Sequence, residues 1–210
     1  MKKSQIDLSL YLVTEESIAL EKLTKIIAES VSGGVSIVQL REKKNSSLSF
    51  YKKASALKQL LNELSIPLII NDRVDIALAV AADGIHIGQD DLPLPVVKQM
   101  VPEDMIVGVS VSTLEEALEA ERNGADYIGV GSVFPTKTKQ DATLMAIGDL
   151  EEICRSVSIP AVAIGGITAD NISALSNSGL SGTAVVSTIM NADSPKTASE
   201  SLLKIIKDFK

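Results

Sequence analysis

Short apolar runs closed by Gly, Pro or polar clusters recur along the chain at Leu8–Val13, Val35–Leu40, Leu68–Ile70, Gly84–Ile87, Ile106–Val109, Tyr127–Val130, Ala161–Ile164 and Ala184–Val186. Runs this short and this apolar suit strands covered on both faces. Between them the spacing turns helical. Leu20, Leu23 and Ile27 share one face ahead of Gly33-Gly34, and Leu57, Leu60, Leu61 and Leu64 do so ahead of Pro67. Val74–Ala82 is long enough for a crossover helix of two to three turns, and Pro95–Met100 is the next helical stretch. Thr113 with Glu116 spells a capping box opening a helix that carries Ala117 and Leu118 and closes at Gly124. Ile172 and Leu175 precede Gly179, and Leu202, Leu203, Ile205 and Ile206 form the last stripe. Strand and helix thus alternate in units of about 25 residues with no linker, and no G-x-G-x-x-G follows the first strand. The pattern predicts an α/β fold, a single (β/α)8 TIM barrel over residues 1–210, rather than a doubly wound sheet.

Composition narrows the chemistry. A chain of 210 residues with 45% hydrophobic content can bury one large core, and its apolar runs all fall short of a membrane span. With 20 Lys and Arg against 27 Asp and Glu, the net charge of −7 opposes nucleic-acid binding, so any anion site must be local. Cys154 and His86 are the only residues of their kinds. An internal disulfide and a multi-histidine metal cluster are therefore excluded, and a cytoplasmic setting is expected. His86, between Ile85 and Ile87, reads as a packed barrel histidine lying outside the site, and Cys154 as a packing residue at the opening of the helix after Leu150.

In a barrel the reacting groups gather where the strands end. The second run leads into Gln39, Arg41, Glu42 and Lys43, the third into Asn71 and Asp72, the fourth into Gln89, Asp90 and Asp91, and the fifth into Ser110, Ser112 and Thr113. Adjacent parallel strands lie about 4.8 Å apart, so Asp72 and Asp91 can share one hard cation such as Mg²⁺. Asn-Asp and Asp-Asp are also ordinary turn and capping pairs, and Arg41–Lys43 can be read as a solvated charge cluster. Gly165-Gly166 after the seventh run and Ser187-Thr188 after the eighth suit a monophosphate cradle, although two glycines can equally mark a tight turn. The segment from Gly131 to Gly148 exceeds an ordinary connection and carries Thr136, Lys137, Thr138 and Lys139. Two anion sites in one mouth, one of them built for a cation and a pyrophosphate, point to the joining of two phosphorylated molecules.

Taken together, YLVT ending at Thr14, VQLREK from Val38, INDRVDIALAVAADGIHIGQDD from Ile70, GVS from Gly108, GADYIGVGSVFPTKTK from Gly124, AIGGI from Ala163 and AVVS from Ala184 resemble the thiamine-phosphate synthase family. The match runs in order over nearly the whole chain. It implies a transferase that couples an aminopyrimidine diphosphate to a thiazole phosphate, with dissociative loss of pyrophosphate and Mg²⁺ as cofactor. On that resemblance Gln39, Arg41, Lys43 and Asn71 hold the pyrimidine diphosphate, Asp72 and Asp91 hold the metal, and Ser110 and Lys139 contact the same substrate. Lys139, Ser110 and Arg41 are the implied catalytic groups. Thr136, Thr138, Gly166, Val186 and Ser187 position the thiazole phosphate.

Many family members carry His where this chain has Ser112, and no role is carried to that position. Two other readings share the barrel: a thiazole tautomerase-like enzyme, and a regulatory barrel that binds the same ligands without turnover. Arg41, Lys43, Asp72, Asp91 and Lys139 serve the pyrophosphate side, which a tautomerase does not need. Small-molecule substrates are the expected partners, with no membrane and no nucleic acid; oligomeric state is not legible.

Overall fold

The computed structural model describes residues 6–16, 18–136, 144–207 and 209. Strands β1 (Leu10–Val13), β2 (Ile37–Leu40), β3 (Leu68–Asn71), β4 (Gly84–Ile87), β5 (Ile106–Val111), β6 (Tyr127–Val130), β7 (Ala161–Ile164) and β8 (Gly182–Val185) pair in parallel in chain order, and β1 closes on β8. Around them run α1 (Leu20–Ser32), α2 (Ser47–Glu63), α3 (Val74–Ala79), α4 (Leu94–Met100), α5 (Leu114–Arg122), α6 (Ile147–Ser156), the single turn α7 (Ser187–Met190) and α8 (Pro195–Lys207). A 3₁₀ turn, Ile172–Leu175, takes the place of a helix between β7 and β8. Among the described residues no helix is long and apolar enough to cross a membrane.

Strand alternation sorts the core into two shells. Leu10, Leu12, Val38, Leu40, Leu68 and Ile70 face outward and meet the helices, whereas Tyr11, Val13, Ile37, Ile69, Ile106, Tyr127 and Val162 fill the lumen. Helical spacing supplies the outer partners: Leu57 and Leu61 of α2 are fully buried against the strands. Each such side chain stabilises the fold by about 1.5–3 kcal/mol, so the apolar stripe, not helix propensity, holds α2 in place. The lumen is crowded, and inward-facing glycines relieve it. A Cβ on Gly108 would lie 2.1 Å from the Tyr127 ring, and one on Gly84 would lie 2.6 Å from Ile69.

Four helices end in one way. The residue two past the last turn takes a left-handed conformation at Gly34, Ser65, Ala81 and Gly124, and the next amide bonds back five residues: Val35 to Ser30, Ile66 to Leu61, Ala82 to Ala77 and Ala125 to Ala120. This closure cuts the helix expected over Val74–Ala82 to Val74–Ala79, less than two turns, with Ala81 in a conformation that glycine more often takes. The capping box of α5 forms as its sequence spells: Thr113 Oγ1 accepts the Glu116 amide at 3.2 Å, and Glu116 Oε2 accepts the Thr113 amide at 3.3 Å. Cys154 falls in the last turns of α6 rather than at its opening, because the helix starts earlier, at Ile147. Burial lifts its thiol to about 11, as suits a packing residue.

At the amino-terminal end of the barrel the same device occurs twice. Asp83, just before β4, accepts the amide of Leu68 at 2.8 Å and pairs with Lys58 of α2 at 2.7 Å. Asp126, just before β6, accepts the amide of Val107 at 2.8 Å and lies 3.5 Å from Lys98 of α4. Each aspartate ties the start of one strand to the next and to the helix that precedes the first of the two, on the face of a barrel that serves stability.

Candidate active site

The carboxyl end of β2 is pinned from β1. The Thr14 amide donates to the Gln39 carbonyl at 2.9 Å, and Thr14 Oγ1 accepts the Arg41 amide at 3.1 Å. Glu42 then turns inward. Its side chain is fully buried, paired with Lys53 of α2 and bonded by Asn45. Lys53 also donates to the carbonyls of Ile18 and Glu16. The cluster Arg41–Lys43 is therefore no uniformly solvated run: the buried middle residue holds the two cations at the rim. Arg41 is half-buried and, among the described residues, has no ion-pair partner. Lys43 reaches across to Asp72.

On β3, Asn71 faces the mouth, nearly buried, and its side-chain amide nitrogen has no hydrogen-bond partner among the described residues. Such an orphan donor is costly unless a ligand supplies an acceptor. Asp72 follows with φ at +62°, a left-handed backbone that turns the chain so that its amide bonds the His86 carbonyl at 2.8 Å. Strain of this kind gathers at functional positions. Burial raises the Asp72 carboxyl above its ordinary range, Lys43 opposes that, and the neighbouring Asp91 carboxylate adds to it. Asp91 is set by its own turn, accepting the Gly88 amide at 2.7 Å. The expected approach of Asp72 and Asp91 across adjacent strands is thus present.

A carboxylate whose proton affinity is raised by burial and by a neighbouring carboxylate, beside an orphan amide, suits a hard oxygen-seeking cation. Among the described residues no group of three or more metal-ligating side chains occurs, so a cation here would take its remaining oxygens from substrate and water.

Ser110 on β5 lies half-buried with its Oγ 2.9 Å from His86 Nε2. Gln89 Nε2 donates to the Ser110 carbonyl at 2.7 Å and ties the β4 turn to β5. His86 is packed in the lumen as its flanking residues suggest, yet it touches a site residue and so belongs beneath the site rather than outside it. Ser112 points the other way, bonded by its amide and hydroxyl to Glu116.

The opposite side of the mouth is built from β6 to β8. Gly165 and Gly166 both have positive φ, and the segment after β6 lies directly on them: a Cβ on Gly166 would sit 2.4 Å from the Pro135 carbonyl. Phe134 donates its amide to the Gly165 carbonyl at 3.1 Å, which carries the chain toward Thr136, half-buried. Asn171 closes the β7 turn through the Thr168 amide at 2.8 Å and the Gly166 carbonyl at 2.9 Å. Thr188 bonds the Ile167 carbonyl and joins that turn to the one after β8, where Val186 is half-buried and Ser187 exposed. Thr138, Lys139 and Lys137 lie outside the described residues.

Among the residues expected from sequence, Gln39, Arg41, Lys43, Asn71, Asp72, Asp91 and Ser110 converge on one side, and Thr136, Gly166, Val186 and Ser187 stand at the ends of the next three strands. Sequence reasoning read Glu42 only as one of a charge cluster at the strand end, and gave no role to Thr14 or to the inward tyrosines Tyr11 and Tyr127. Strand parity could have placed the tyrosines, since Tyr11 is two residues before Val13 and Tyr127 opens its strand on the lumen face.

The thiamine monophosphate synthase family model matches residues 10–189. A thiamine-phosphate synthase of Methanobrevibacter smithii is 54% identical over 204 residues, covering 97% of this chain and 98% of the relative. One from Clostridium tetani is 50% identical over 203 residues, covering 96% and 97%. Among solved structures, thiamine phosphate pyrophosphorylase from Pyrococcus furiosus superposes with a TM-score of 0.87 at 40% identity, covering 97% of this chain and 98% of that one. With a shared barrel and this identity over nearly its full length, the chain belongs to the thiamine monophosphate synthase family.

Proposed function

We propose that the barrel mouth couples an aminopyrimidine diphosphate to a thiazole phosphate, giving thiamine phosphate and pyrophosphate. Family membership makes the chain a transferase; the substrates and the mechanism rest on the site. The observation that carries the reading is Asn71: a nearly buried amide nitrogen without a partner among the described residues, beside the Asp72–Lys43 pair and an Arg41 that makes no ion pair among those residues. That side of the mouth is finished only by a ligand that brings acceptor oxygens or nitrogens.

The reaction breaks the bond between the pyrimidine methylene carbon and the diphosphate oxygen, whose electron pair leaves with pyrophosphate. The thiazole nitrogen lone pair then forms the new carbon–nitrogen bond. Arg41 and Lys43 lower the energy of the departing negative charge, and Lys139 shares that task on the family resemblance. Asn71 and Gln39 orient the pyrimidine, and Ser110 meets it from β5. Asp72 and Asp91 are the residues that would hold Mg²⁺, which when bound supplies positive charge to the diphosphate oxygens. The β6–β8 side, with Thr136, Thr138, Gly166, Val186 and Ser187, holds the thiazole phosphate. A cytoplasmic setting suits the one free thiol.

Pyrophosphate release tests the reading. Release that requires both substrates and divalent cation supports it. A protein that binds both ligands without release is a regulatory barrel, and one that turns over only a thiazole is a tautomerase.

A further inference from the structure

A single chain of hydrogen bonds crosses the lumen from β2 to β5. Gln39 Nε2 donates to the Tyr11 hydroxyl at 2.9 Å, and the Tyr11 hydroxyl lies 2.8 Å from that of Tyr127. The Tyr127 hydroxyl lies 2.9 Å from His86 Nδ1, and His86 Nε2 lies 2.9 Å from Ser110 Oγ. The two ends, Gln39 and Ser110, are groups placed on the pyrimidine substrate; the three members between them have no role in the reaction as described so far. The two rings and the imidazole are almost wholly sealed from water. The sequence makes room for them: Gly108 on β5 lets the Tyr127 ring pass over it from β6 to reach β4, and a Cβ on Gly129 would lie 3.2 Å from the imidazole.

The chain has a direction. An amide nitrogen can only donate, so the Tyr11 oxygen accepts from Gln39, and among the described residues the only acceptor left for its own buried proton is the Tyr127 oxygen. Tyr127 likewise accepts from Tyr11 and spends its proton on His86 Nδ1, which must then be bare. The remaining proton of the neutral imidazole sits on Nε2 and is given to Ser110 Oγ. All three rings are sealed from water, which disfavours a charge on any of them, so no member drops out of the sequence.

We propose that Tyr11 and Tyr127 are positioning residues that lock His86 in its Nε2–H tautomer and thereby turn the Ser110 hydroxyl proton into the mouth, as a donor toward a lone pair on the pyrimidine. The far end of the chain sets this polarity before substrate arrives, so a ring that presents an acceptor is matched and a ring that presents an N–H at the same point, as an oxo analogue does, meets a donor facing a donor. The consequence for substrate choice rests on the proposed function; the tautomer does not.

Because His86 is the only histidine, ¹⁵N NMR of the uniformly labelled protein through two-bond ring couplings reads the tautomer without assignment. The expected spectrum has the proton on Nε2 and a bare Nδ1, unchanged in Ser110→Ala and converted to a mixture in Tyr127→Phe. A proton on Nδ1 in the natural chain, or an unaltered tautomer in Tyr127→Phe, overturns the proposal. Tyr11→Phe, with the same ring volume, gives a second reading should Tyr127→Phe fold poorly. In the coupling assay Tyr127→Phe is expected to lower kcat/KM for the aminopyrimidine diphosphate about tenfold, the scale of one mispositioned hydrogen bond, with KM for the thiazole phosphate unchanged. Its preference for the amino over the oxo pyrimidine should shrink by a similar factor; an undiminished preference overturns the specificity claim. If the natural chain couples nothing while the tautomer is as expected, the proposed function fails and the lock stands.

Discussion

Lys53 of α2 donates to the carboxylate of Glu42, and the pair is sealed beneath the segment that carries Arg41 and Lys43. A charge buried this completely holds its place only while its partner remains. Glu42→Gln or Lys53→Met should each cost about 3 kcal/mol of stability and loosen the rim cations, raising KM for the diphosphate substrate more than for the thiazole phosphate. Urea unfolding and steady-state kinetics check both. Equal effects on the two KM values would mean that the pair serves stability alone.

Asp72 and Asp91 should matter for metal and not for fold. Asp72→Asn keeps a residue that tolerates the left-handed backbone at this position, and it removes a carboxylate whose proton affinity is already raised by burial. Activity should fall about a hundredfold or more and the Mg²⁺ requirement should rise, for this variant and for Asp91→Asn. The melting temperature without metal should stay level or climb. Full activity at low Mg²⁺ would remove the metal-site reading.

A side chain at position 166 meets the carbonyls of Pro135 and Phe134 before it meets any ligand. Gly166→Val should therefore displace the segment leading to Thr136 and weaken thiazole-phosphate binding about tenfold or more, while the pyrimidine diphosphate binds nearly as before. Calorimetric titration of each ligand separates the two sides; parallel losses would show one indivisible mouth.

Burial pushes the His86 imidazole down to about 4 from its ordinary 6.5, against the opposing charge of Asp91. The folded state favours the neutral ring, so its contribution is complete above pH 6.5 and is lost as pH falls through about 4. The full difference is about 3 kcal/mol. Unfolding free energies at pH 7.5 and 4.5 should fall further for the natural chain than for His86→Gln. Matching slopes would show that the ring titrates freely.

Asp83→Asn breaks one of the two amino-terminal staples and should destabilise by about 1–2 kcal/mol with both KM values intact, because the change lies on the far side of the barrel from the mouth. A changed KM would show that the two ends of the barrel communicate.

Much of this architecture could be read from short apolar runs. Gly84–Ile87, Tyr127–Val130 and Ala161–Ile164 form where their compositions place them, and the capping box at Thr113 closes bond for bond. Edges were harder. The run from Leu8 yields a strand only from Leu10, since Asp7 accepts the Ser9 amide and holds the chain in a turn, and β8 begins at Gly182, where the Leu8 backbone packs too closely for any side chain. The site was legible wherever chemistry sits next to a strand end, as at Asn71-Asp72 and Asp91. It was not legible where partners meet across the fold: Tyr11 and Tyr127 are 116 residues apart, and Glu42 gave no sign that Lys53 would draw it inward. Local pattern reports which face a residue takes, and only closure of the barrel decides whom it meets there.

The missing side chain at Gly108 also constrains how this barrel can vary. Lumen volume in a barrel of eight short strands is shared among facing side chains, and the space above Gly108 is already occupied by the ring of Tyr127. A larger residue at 108 is compatible only with a smaller one at 127, and that exchange deletes the hydroxyl on which His86 depends. The two positions are thus free to change only as a pair. A lineage that took the exchange would keep a well-packed barrel and lose the polarity of its Ser110, so the cost of the substitution would surface in substrate choice, far more than in thermal stability.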